Sequence, residues 1–300
     1  MSLQIFLCSF VLLFIASFCS GQPPIIFVSD TQKPMWIEDV FLKSHNNAVA
    51  TELIFGSIES VKPKTVFILG DVVSLGHKAK KWKKIDGYIQ SLRNNGTEVN
   101  GLLGNHDVMG KAKKGEHQFQ KRFANHNRLG YTAVTDSVAV VMLNSNFKTL
   151  TEEEQQQQKK WLEQELNELD DSPAVRFVVL ACHHAPFTNS KIVRPSGQVQ
   201  LQFVPAYLKS TKAILFITGH SHNFERFIKA GKNFLVIGGG GGIHQPTRPS
   251  SAETNDIAKE YKPLFHYIVM RRKARALEFS SVALSDDFQA FKTDYRFELP

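Results

Sequence analysis

The chain has little cysteine: three residues among 300. Two of them, Cys8 and Cys19, lie in an apolar N-terminal stretch, which leaves Cys182 alone in the remainder. One thiol closes no internal disulfide, so the fold must rest on its core. Cys182 follows "RFVVLA" and reads as a small buried hydrophobe. Repeats are also missing, and no Pro/Gly-rich linker divides the chain, so residues 22–300 are expected to form one domain. Acidic residues are outnumbered by basic ones, 28 against 36. The lysine runs "KAKKWKK" (78–84) and "KAKK" (111–114) suit an anionic substrate, but such runs are usually solvated faces. Nucleic acid is therefore not the favoured partner.

Positive charge is absent from the first four residues, "MSLQ", and from the apolar run Ile5 to Phe18 that follows. The run is short for a membrane span and right for the core of a secretory signal peptide. Residues 1–21 are read as a leader cleaved near Gly21, giving a secreted or periplasmic protein with no stable membrane span. An uncleaved N-terminal anchor is the alternative. Asn95 opens a glycosylation sequon, "NGT".

What the chain does contain is a recurring pattern. "IIFV" precedes Ser29-Asp30, "TVFIL" precedes Gly70-Asp71, and "VNGLL" precedes Gly104-Asn105-His106-Asp107. "RFVVLA" precedes His183-His184, and "AILFIT" precedes Gly219-His220-Ser221-His222. Each run suits a strand buried on both faces. Helical spacing is read over 46–61, 80–94, 117–125 and 151–169, the last opened by a capping box of Thr151 and Glu154. Alternating strands and helices imply a largely parallel sheet whose carboxyl ends gather ligands at one rim. The closely spaced strands after residue 232 are expected to form a second, more antiparallel sheet packed on the first.

Singly, each strand tip is weak: Gly-Asp often just turns the chain. Together they offer two carboxylates, a side-chain amide and several imidazoles, with no thiolate. That donor set suits Mn, Fe or Zn in a catalytic site. A carboxylate bridging two cations about 3.5–4 Å apart allows a hydroxide between them to attack a phosphoryl group.

The ordered motifs "SDTQ", "LGDVVSLG", "GNHD", "HHAP" and "GHSH" resemble those of calcineurin-like metallophosphoesterases, and "GHSHNFER" is similar to the last motif of the purple acid phosphatase branch. The resemblance implies an α/β fold, a four-layer α/β/β/α sandwich of two mixed sheets flanked by helices. It also implies two divalent or trivalent metal ions. Asp30 and His222 would hold the first, Asp71 would bridge, and Asn105, His184 and His220 would hold the second. The family's His-X-Pro pattern selects His184 and leaves His183 as its neighbour. His106 would protonate the leaving group, and Asp107 would orient its imidazole. Two departures stand out. Gln32 occupies the place of a ligand histidine, to coordinate weakly through oxygen or leave room for water. Ser74 replaces a metal-binding tyrosine, which argues against an iron–tyrosinate centre.

The expected activity is metal-dependent hydrolysis of phosphate esters, on phosphorylated small molecules or phosphoproteins. A diesterase or nuclease on the same site, and a non-catalytic metal-binding module, are the alternatives. Around the motifs, Glu225 and Arg226 are candidates to brace the last one. Gly238 to Gly242 is a tight loop able to present N–H groups, and Lys191, Arg194 and His244 are weaker candidates for substrate contact.

Overall fold

The computed structural model describes residues 22–248 and 254–300. The leader expected at residues 1–21 lies outside them. Twelve strands form two six-stranded sheets. The first contains β1 (Ile25–Val28), β2 (Thr65–Ile68), β3 (Glu98–Gly101), β10 (His266–Arg272), β11 (Leu277–Leu284) and β12 (Phe291–Leu299), in the order β12-β11-β10-β1-β2-β3. The second contains β4 (Tyr131–Thr135), β5 (Val138–Met142), β6 (Phe177–Ala181), β7 (Ala213–Thr218), β8 (Phe224–Lys229) and β9 (Lys232–Ile237), in the order β4-β5-β6-β7-β9-β8.

Both sheets are mixed. β1, β2 and β3 run parallel, and β10 joins the free edge of β1 antiparallel, pairing Ile25 with Met270. β5, β6, β7 and β9 run parallel between the antiparallel edges β4 and β8. The five motif runs are thus shared between two sheets rather than set along one. Nor do the C-terminal strands make a sheet of their own: β9 extends the second sheet and β10–β12 extend the first. Short loops alone could not reveal this, because β9 pairs in parallel with β7 across the intervening β8.

Helices cover the outer faces. On the first sheet lie α2 (Asn47–Val61), α3 (Ala79–Asn94), α4 (Asn105–Val108) and α5 (Ala112–Gln120); on the second, α6 (Glu152–Asp171), α7 (Gly197–Gln202) and α8 (Val204–Lys209); α1 (Glu38–Phe41) is a single turn ahead of α2. Three apolar layers result. Ile26, Val28, Val66 and Ile68 pack with Ile54, Ile58 and Trp82 under α2 and α3. Phe27, Phe67, Val179, Ile217 and Leu235 fill the space between the sheets. Val178, Leu180 and Phe216 meet Leu162, Leu166 and Tyr207 of the other helices. Alternate residues of each strand serve opposite layers, as the period of two requires. The capping box is present: Thr151 Oγ1 accepts from the Glu154 amide at 3.2 Å, and Glu154 Oε2 accepts from the Thr151 amide at 2.8 Å. The helix expected at 117–125 lies earlier, as α5.

Candidate metal centre

The carboxyl ends of β1, β2, β6 and β7 face one another across the space between the sheets, and the chain turns sharply at each. Asp30, Asp71, His220 and His222 all have left-handed backbones, with φ of 59°, 49°, 70° and 44°. This conformation costs a residue with a Cβ about 1–2 kcal/mol. Four such residues at one place mark a site where geometry outranks local stability. The glycines before the motifs permit the close approach. A Cβ on Gly104 would lie 2.1 Å from the Asp71 amide, and one on Gly219 would lie 1.9 Å from Ser29 Oγ.

Two groups of ligand-type atoms result, each within 4.8 Å: Asp71 with His183 and His220, and Asp30 with Asp71 and His222. Asp71 belongs to both. Its Oδ1 accepts from the His106 amide at 2.7 Å, while its buried Oδ2 makes no hydrogen bond. That oxygen lies 3.2 Å from His183 Nε2 and 3.9 Å from His106 Nε2. Asn105 Oδ1 is 3.1 Å from the same His183 nitrogen. The other ring nitrogens are committed elsewhere. His183 Nδ1 is 2.9 Å from the Leu69 carbonyl, and His222 Nδ1 is 2.8 Å from that of Ile243. A carbonyl can only accept, so each Nδ1 carries the proton and each Nε2 is left to face the carboxylates. A bare buried carboxylate oxygen, a bridging position and two imidazoles held in one tautomer together fit a metal pair.

Electrostatics agree. Burial alone would raise the pKa of Asp71, but the neighbouring His183, His106 and His220 rings more than offset it and hold the carboxyl ionised. Burial likewise opposes charge on His183, yet Asp71 and Asp30 push it up to about 9. His222 is raised in the same way by Asp30, at 3.3 Å. His184 goes the other way, down to about 3 through burial and the charge on His183, and burial with His184 and His183 lowers His220. Without metal the site balances two carboxylates against two imidazolium groups, whose protons a bound cation would replace.

Two expectations change. The pattern reading selected His184, but His183 is the residue beside Asp71 and Asn105, and His184 belongs to neither ligand group. Strand parity explains it: Ala181 faces the inter-sheet layer and Cys182 the helix layer, so His183 turns inward again. His184 is engaged instead by Ser145, whose Oγ lies 2.8 Å from its Nδ1.

Asp107 does not touch the His106 ring. Its carboxylate accepts from the amides of Val72 (3.1 Å), Val73 (3.2 Å) and Gly104 (2.9 Å), so it braces the loop that carries Asp71. The Ser74 carbonyl, 3.2 Å from His106 Nδ1, orients that imidazole.

Gln32 lies within the site. Its NH2 donates to the carbonyls of Asp71 (2.9 Å) and Asp30 (3.2 Å), which turns Oε1 toward His222 Nε2 at 3.2 Å. It therefore clasps both carboxylate loops while presenting an oxygen where the ligand histidine was expected.

Three N–H groups of the glycine loop are taken within the fold: Gly240 donates to Ser29 (2.8 Å), Gly242 to Asp30 (2.7 Å) and Gly238 to Asn223 (3.0 Å). Glu225 accepts from Thr188 Oγ1 (2.5 Å) and the Asn189 amide (2.6 Å), and Arg226 lies over the Phe297 ring, so both are braces. Cys182 is buried as expected.

Several solved structures share the fold. A purple acid phosphatase from yellow lupin (Lupinus luteus) seeds aligns with a TM-score of 0.68 at 16% identity, covering 92% of this chain and 53% of that one. The chain thus spans about half the length of the lupin protein. GAP50 of Plasmodium, described as the anchor in the inner membrane complex, gives 0.69 at 14% identity, covering 93% and 89%. A dimetal phosphatase from Danio rerio gives 0.58 at 11%, covering 93% and 99%. At these identities the likeness is one of fold. No curated protein matches the chain. Residues 23–224, more than half of it, match the model of the calcineurin-like phosphoesterase family. The chain belongs to that family of phosphoesterases, and it carries residues able to hold a metal ion.

Proposed function

We propose that the protein hydrolyses phosphomonoesters at a dinuclear centre. Asp30, His222 and the Gln32 oxygen would hold one ion, Asn105, His183 and His220 the other, and Asp71 would bridge them. The observation that carries this reading is Asp71, shared by both ligand groups, with a buried oxygen that faces the ligand imidazoles. A bound pair supplies a hydroxide nucleophile at neutral pH and neutralises the phosphoryl oxygens. The protein's own share is positioning and proton transfer. The Leu69 and Ile243 carbonyls keep His183 and His222 in the ligating tautomer. His106, fixed at Nδ1 by Ser74, delivers its Nε2 proton to the departing alkoxide. The donor set favours Mn, Fe or Zn.

The test is hydrolysis of 4-nitrophenyl phosphate and bis(4-nitrophenyl) phosphate by metal-loaded wild type and by Asp71→Ala and Asn105→Ala. The monoester should be preferred, and both variants should lose most activity. Wild-type rates in both variants would overturn the assignment, and a preference for the diester would replace phosphatase by diesterase.

We further propose that the chain is exported after cleavage near Gly21, a reading supported by the uncharged run Ile5 to Phe18. N-terminal sequencing of the mature protein checks it: an intact Met1 would favour the anchor.

A further inference from the structure

A cavity of about 310 Å³ between α2 and α3 is used by none of the steps above. It backs onto the metal centre, because Thr31, Val72 and Val73 in its wall directly follow Asp30 and Asp71. Val73, Ile85 and Tyr88 make part of that wall apolar, while Lys33, Lys80, Lys81 and Lys84 supply its charge. No acidic residue lines it. Lys84 meets Glu52 at 3.5 Å in a well-exposed pair, whereas Lys33, Lys80 and Lys81 make no ion pair among the described residues.

Two further features call for an anion. Ser74, only 2% exposed, lines the cavity, and its hydroxyl makes no hydrogen bond among the described residues. The hydroxyl is free to donate to an anion that enters the cavity. α3 also begins beside it with no capping side chain and no acid in its first turn, although Lys80 and Lys81 add positive charge there. Lysines at the positive end of a helix repel it, and an anion relieves both.

An inorganic anion alone would leave the apolar wall unused, and a nucleic acid would need a groove rather than a pocket of this size. We infer that the cavity anchors the far end of the substrate: it takes a second anionic group, joined by an apolar spacer to the phosphoryl group being cleaved. This rests on the hydrolase reading above, and it narrows the substrate to small bis-anionic phosphate esters.

The test is a series of α,ω-alkanediol bisphosphates of increasing chain length against n-alkyl monophosphates. One chain length should show a KM about tenfold or more below that of the matching monophosphate, the value of one charge-assisted contact. Lys80→Gln/Lys81→Gln should remove that advantage and leave kcat and the monophosphate KM unchanged. A flat series, or a variant that raises both KM values alike, overturns the inference. Calorimetric titration of hexanediol bisphosphate into metal-free protein separates the cavity from catalysis. Binding weakened about tenfold in the double variant supports the subsite even if no ester is turned over. Equal binding in both proteins, or none in the wild type, overturns it.

Discussion

The two sheets bring different chemistry to the centre. The first delivers oxygen: Asp30, Gln32, Asp71 and Asn105. The second delivers nitrogen: His183, His220 and His222. Buried alone, the carboxylates would be strongly disfavoured in their charged form, and so would the imidazolium groups opposite them. Across the interface each makes the other tolerable, with Asp71 beside His183 and Asp30 beside His222. The centre therefore exists only when the sheets are packed. Without metal, two imidazolium charges offset two carboxylates, so the core carries little net charge.

The largest test of this division is to remove the bridge. Asp71→Ala should lower kcat/KM for 4-nitrophenyl phosphate by at least about a thousandfold. It should also destabilise the metal-free protein by about 3–5 kcal/mol, because His183 keeps its burial and loses its partner; denaturant unfolding in chelator measures it.

Next, His106→Ala should reduce kcat by about 10²–10⁴-fold while both metal equivalents remain. Rates on esters with good leaving groups should suffer least, because a stable alkoxide needs no proton.

His183→Asn against His184→Asn sharpens the assignment within the second sheet. The first should lose one metal equivalent by elemental analysis, and the second should keep both. The reverse would restore the pattern-based choice.

The pH dependence is a smaller effect. His183 is raised from 6.5 to about 9, so its contribution in metal-free protein is complete below 6.5 and disappears as pH climbs through 9. His184 is depressed to about 3, so its contribution is complete above 6.5 and fades as pH falls toward 3. The metal-free Tm should peak near 6.5 and drop by several degrees on either side. Bound metal, which keeps His183 neutral, should abolish the alkaline fall. Smallest of all, Thr151→Ala should cost about 1 kcal/mol through the lost cap of α6, with activity unchanged.

Much of this was legible in the residues. Strand runs ending in Asp, Asn or His located the rim, and Thr151 with Glu154 located the start of α6. Local signals failed where partners lie far apart in sequence. Asp107 serves the amides of Val72 and Val73, thirty-odd positions earlier, which its neighbour His106 cannot reveal. The glycine run was legible as a tight loop, but its acceptors were not: Ser29 and Asp30, some two hundred positions earlier, take the N–H groups of Gly240 and Gly242. His183 was discernible by counting alternate residues from Phe177, whereas the proline at 186 pointed to the wrong neighbour. The split of the C-terminal strands between two sheets left no trace in loop length.

The pairing of β1 with β10 has a temporal consequence. The strand that carries Asp30 borders residues 266–272, and the Gly239 carbonyl accepts from the His266 amide at 2.9 Å. A growing polypeptide therefore holds the Asp30 motif beside an open strand edge until residues 266–272 have been made. Assembly of the centre waits for synthesis of β10, and a chain halted before it would expose a sticky border instead of acquiring activity.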